Sequence, residues 1–159
     1  MVATASLEGV MLDAAKEVFE TMVFMPLEKC ASCEPETGDP AILATITFTG
    51  DLEGCFGISC DGRVAQAVAA SMLCLEPGEP LGENEVADAL GEIANMIMGG
   101  IKTRIQQETA GIEISIPCIV RGHQLRSRLG EGMSRITTPV TFGSAHQAEL
   151  SLLYRGHGG

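Results

Sequence analysis

The chain has 159 residues, 45% of them hydrophobic, with no Trp, one Tyr and five Phe, which is the size of one domain whose core must be built from Val, Ile, Leu, Ala and Met. Its 21 acidic and 10 basic residues leave a formal net charge of -11; such a chain repels phosphate backbones, which argues against nucleic acid as a partner. No apolar stretch approaches the ~20 residues that a membrane span needs, so no membrane association is expected.

The opening segment "MVATASLEGVMLDAAKEVFETM" lacks the basic start and apolar run of a secretory signal. A cytoplasmic location with free thiols is therefore expected for Cys30, Cys33, Cys55, Cys60, Cys74 and Cys118. The segment reads as an amphipathic helix from about Leu7 to Phe24, with Ser6 as N-cap and Pro26 ending it. A loop rich in Glu, Pro and Gly follows through Pro40. "ILATITFTG" and "LEGCFGISC" alternate apolar and polar residues around a turn, the pattern of a hairpin. "RVAQAVAASMLCL" predicts a short helix capped by Asp61. After the loop "EPGEPLGENE", a long helix begins near Asn84 or Glu85 and ends before Gly111. "IEISIPCIV" predicts a strand in which Pro117 marks an edge or a kink, and "MSRITTPVTF" and "AELSLLYRG" predict the closing strands.

This order predicts a single α/β (α+β) domain over residues 1–159, made of two related halves at about 6–75 and 82–156. Two long helices would cover one face of a largely antiparallel sheet. The helices themselves support the repeat. "DAAKEVFETM" from Asp13 aligns without gaps with "DALGEIANMI" from Asp88, setting Glu17 opposite Glu92 and Glu20 opposite Asn95.

The second long helix carries an unusual stripe. At 100° per residue, Val86, Leu90, Ile93, Ile97 and Ile101 share one face, and Asp88, Glu92, Asn95, Gly99 and Lys102 share the opposite one. Any surface helix shows polar groups to water. Glycine, however, costs about 1 kcal/mol against Ala in a helix interior, and Asn is also a poor helix former. Gly91 and Gly100 lie off the centre of the stripe and suit internal packing, whereas Gly99 leaves the surface bare one turn beyond Asn95.

"DALGEIANMIMGGIKTRI" followed by "IEISIPCIVRG" closely resembles the CheX/CheC family of chemotaxis phosphatases. Asp88, Glu92, Asn95 and Pro117 fill the family pattern, and "TITFTGDLEGCFGIS" resembles its first hairpin. The resemblance implies a CheC-like pseudo-two-fold domain that removes phosphate from the aspartate of a CheY-like response-regulator receiver. Asn95 would orient the attacking water and Glu92 would dock the receiver's active-site Lys, with Asp88, Gly99 and Lys102 around the contact. The resemblance places the Mg²⁺ on the receiver, leaving no metal ligands in this chain, and implies a homodimer with sheets joined edge to edge. Glu20, a carboxylate where the second half has Asn95, predicts one working site rather than two, with Asp13 and Glu17 as solvated helix residues.

Other readings compete. The same fold could dock receivers without hydrolysis. "CASC" at Cys30–Cys33 could be half of a zinc site or a redox pair, although no His lies nearby. His123 and His146 read as surface residues, and the Met of "NMIMGG" and "ETMVFM" as core packing.

Overall fold

The computed structural model describes residues 4–31, 41–76, 79, 81–107, 109, 111–122, 132–143 and 146–156. Helix α1 spans Thr4–Val18 and passes into a wider π-helical turn, Phe19–Val23. The helix already runs at Thr4, so Ser6 lies inside it rather than capping it. Phe24 ends it in the left-handed region, with φ 64° and its N–H bonded to the Phe19 carbonyl. Strand β1 (Leu27–Lys29) follows at once, where the sequence suggested only loop. Strands β2 (Ala41–Thr49) and β3 (Leu52–Asp61) form the expected hairpin. Helix α2 (Gly62–Met72) is capped by Asp61, whose carboxylate accepts from the Val64 N–H at 2.9 Å. Helix α3 runs Glu83–Ile105, and β4 (Glu113–Ile114), β5 (Cys118–Gly122), β6 (Ser134–Phe142) and β7 (His146–Gly156) complete the chain.

The seven strands form one sheet in the order β1-β6-β7-β3-β2-β4, with β5 also paired to β2. Every pairing is antiparallel. The order mirrors about its centre: β3 and β7 meet there, while β1 joins the late strand β6 and β5 joins the early strand β2. Alternation decides which face is covered. Ile42, Ala44, Ile46 and Phe48 on β2, Phe56 and Ile58 on β3, and Leu150 and Leu152 on β7 all join one buried cluster with α1, α2 and α3. The opposite face carries small and polar residues, among them Thr45, Gly57, Ser151 and Thr137 in register across four strands.

The segment read as one strand, "IEISIPCIV", is broken in two on the same edge of β2. Ile114 pairs with Phe48 and Cys118 pairs with Thr45. Three residues, Ser115, Ile116 and Pro117, therefore face two, Ile46 and Thr47, which is a β-bulge with one extra residue. Pro117 has no N–H to give the ladder. Ser115 compensates: its N–H donates to the Thr47 carbonyl at 2.9 Å, and its hydroxyl accepts from the Thr47 N–H at 3.0 Å.

Candidate functional site

Helix α3 is built to hold one face down. Val86, Leu90, Ile93, Ile97 and Ile101 are each at most 2% exposed, as the periodicity requires. Glu83 and Glu85 in its first turn and Lys102 and Arg104 in its last suit the helix dipole. The helix packs against α1 and α2 and lies over β2, with Gly91 meeting the Pro117 and Ile119 side chains at the sheet edge. What remains outside is the stripe. Asp88, Glu92 and Asn95 are exposed, and Gly99 and Lys102 are half-exposed. Among the described residues, no hydrogen bond or ion pair engages the side chains of Asp88, Glu92, Asn95 or Lys102.

The three helix glycines have three different surroundings. A Cβ on Gly91 would lie 3.3 Å from the Pro117 ring, so this glycine lets the β4–β5 bulge close against the helix. A Cβ on Gly100 would lie 3.1 Å from the Ala14 side chain, so this one lets α1 approach. A Cβ on Gly99 would meet nothing within 4 Å. Internal packing therefore explains the first two glycines and leaves the third, one turn beyond Asn95, unexplained from within the chain.

The corresponding stretch of α1 matches α3 at Asp13 and departs from it in surroundings at the next two positions. Asp13 is exposed. Glu17 is not merely solvated as expected, because Arg104 of α3 reaches across the seam and donates to its carboxylate at 2.6 Å while also holding the Gly100 carbonyl. Glu20 is exposed but sits in the π-helical turn, where the backbone is wider than in α3. The stretch thus differs in backbone as well as in side chains.

Other candidates give less. Cys30 is half-buried, and Cys33 lies outside the described residues. No group of three or more His, Cys, Asp or Glu among the described residues could hold a metal ion. His123 is outside the described residues, and His146 is half-buried with its ring 5.7 Å from that of Phe142. Met98 is fully buried and Met96 packs on the core, whereas Met22 is 37% exposed. Among the described residues, no helix is long and apolar enough to cross a membrane. The sequence did not flag the bulge or its outermost residue, Ile116, which is 86% exposed. The signal available was Pro117, which denies the ladder an N–H.

Comparisons with known proteins bear on the fold and on the family. The chain resembles in fold a chemotaxis protein CheX from Vibrio vulnificus, with 23% identity and a TM-score of 0.76 over 98% of this chain and 100% of that one. A CheX from Desulfovibrio desulfuricans matches at 17% identity and TM-score 0.77, covering 94% and 99% of the two chains. A third match, at 19% identity and TM-score 0.72 over 94% and 97%, comes from the CheX-CheY-BeF3-Mg²⁺ complex of Borrelia burgdorferi. No curated protein sequence matches the chain. The family model described as chemotaxis phosphatase CheX matches residues 42–141, a span that holds all but the first residue of β2, the whole of β3 and α3, and Pro117. This chain belongs to the CheX family of chemotaxis phosphatases.

Proposed function

We propose that this protein hydrolyses the aspartyl phosphate of a CheY-like receiver domain, with Asn95 and Glu92 of α3 as the working side chains. The observation that carries the reading is the α3 stripe itself: exposed polar groups, unengaged among the described residues, on a regular helix beside a glycine where an added Cβ would meet nothing within 4 Å. An acyl phosphate is already reactive, so no nucleophile need come from the enzyme. Holding a water in line with the leaving oxygen is enough. Water attacks phosphorus, the bond from phosphorus to the aspartyl oxygen breaks, and inorganic phosphate and the free carboxylate remain. The Asn95 amide offers both an acceptor and two donors to that water. It is also neutral, whereas a carboxylate would be repelled by the phosphoryl oxygens. Glu92, one turn away, accepts from the receiver's Lys and fixes the register. The divalent cation belongs to the receiver. That a CheX stands in a complex with CheY in the Borrelia structure supports this choice of partner. Two copies of the chain associate, giving a two-chain mass in solution.

Decay of a phosphorylated receiver, followed with wild type, Asn95→Ala and Glu92→Ala, tests the reading. Wild type should accelerate decay, and Asn95→Ala should lose about a hundredfold or more of that acceleration while still binding. Glu92→Ala should raise the half-saturating receiver concentration. Binding without acceleration by wild type would instead assign the stripe to docking alone.

A further inference from the structure

Every side chain of the α3 stripe is polar or absent, yet protein interfaces are usually organised around a desolvated apolar anchor ringed by polar contacts. The β4–β5 bulge packs against the same helix and carries an exposed apolar residue. Pro117 lies against Gly91, which adjoins Glu92 in sequence and precedes Asn95 by one turn. The residue before it, Ile116, is the extra residue of the bulge and is 86% exposed. Bulges turn a side chain away from its alternating position, and this one turns a β-branched apolar group into water. Among the described residues the other large exposed apolar side chains are Met22 in the π-helical turn, Phe24 just after it, Leu73 after α2, and Val120 farther along β5, where it pairs with Leu43.

The backbone that presents Ile116 is fixed on both sides. Ser115 is bonded twice to Thr47, and its hydroxyl also donates to the Ile116 carbonyl at 3.1 Å. Pro117 holds the other side against the helix. A fixed, exposed apolar group loses little freedom on binding, which is what an anchor needs. Long-range attraction offers no substitute, since a chain of net charge -11 gains no steering toward an acidic phosphorylation pocket.

We infer that Ile116 is an apolar anchor that seats on the receiver domain next to its phosphorylation site while Glu92 and Asn95 enter that site. The inference rests on the receiver-directed reading above and adds to it the residue that sets affinity. An anchor contributes equally to substrate and transition-state binding, so its loss changes half-saturation rather than turnover.

The test is steady-state dephosphorylation of a receiver by wild type, Ile116→Ser, Ile116→Leu and Asn95→Ala. Ile116→Ser should raise the half-saturating receiver concentration about tenfold, as expected for one buried aliphatic side chain, with kcat within about twofold of wild type. Ile116→Leu should restore most of the affinity, and the thermal midpoint and light-scattering mass of both variants should match wild type. If Asn95→Ala is inactive but Ile116→Ser has unchanged half-saturation, the anchor is wrong and the phosphatase reading stands. A fall in kcat or in mass for Ile116→Ser would also overturn the anchor, since Ile116 would then serve the fold or the copy–copy contact. If wild type accelerates decay of no native receiver, both inferences fall together.

Discussion

A methyl group added at Gly99 would meet nothing within 4 Å, whereas at Gly100 it would press to 3.1 Å against Ala14 of the neighbouring helix. Glycine in a helix interior costs about 0.5–1 kcal/mol relative to Ala. Gly99→Ala should therefore raise stability by about that amount, read as a higher urea midpoint at unchanged slope. Gly100→Ala should gain less or lose stability, because α1 would have to move to admit the Cβ. A larger residue separates the roles further. Gly99→Leu should fold normally yet slow receiver dephosphorylation, because on the proposed function that space is left for the partner. Equal gains at Gly99 and Gly100, with full activity in Gly99→Leu, would show that the bare surface has no such purpose.

Helix α1 is tied to the sheet through Glu8. Its carboxylate accepts from Lys29 of β1 at 3.0 Å and from Thr138 of β6 at 2.9 Å. The Lys29 bond first, and the Thr138 bond after it, hold the Glu8 pKa below the ordinary glutamate value. A lowered folded pKa gives stability that is present above the ordinary glutamate range and lost as pH falls through the folded value. Glu8 and Lys29 are both partly exposed, so Glu8→Gln should cost no more than about 1 kcal/mol at neutral pH. Denaturation midpoints of wild type and variant should converge on acidification; a gap that widened would contradict this assignment. The β4–β5 segment shows how far elements were legible. Alternation in "IEISIPCIV" would send Ile112, Ile114 and Ile116 to one face. Ile112 is buried and Ile114 packs on the core, but the bulge at Pro117 breaks the period and Ile116 turns out. Pro117 announced a break without announcing its direction. Strand β1 was hidden for another reason: its three residues, Leu27–Lys29, are too few to show a period, and β6, distant in sequence, makes them a strand.

Across the molecule, the parts written by periodicity were readable. The 3.6-residue repeat of α3 named its buried face residue by residue, and the β2–β3 alternation named the hairpin. Contacts between distant segments were not readable. The Glu17–Arg104 pair, the Gly91–Pro117 contact and the mirrored strand order depend on where the chain returns, which no local pattern records. The stripe was visible as geometry in the sequence alone, but the chemistry assigned to it came from the family resemblance. Its emptiness became visible only in three dimensions, where Gly91 and Gly100 found neighbours and Gly99 did not. The same view separates the two long helices. Glu17 is bound to Arg104 and Glu20 stands in a widened turn, while their counterparts Glu92 and Asn95 remain free on a regular helix among the described residues. On the proposed function, this difference assigns the working face to α3 alone.

The measurement that bears most directly on that face is phosphoryl decay of a receiver with Asn95→Asp, run beside a binding titration of the same variant. Asp keeps the shape of Asn and replaces its amide donors with charge. The rate should fall to that of the receiver alone while the two proteins still associate. Decay that stays fast with Asp at position 95 would mean that no amide is needed to place the water, and that the stripe on α3 does not do the chemistry assigned to it.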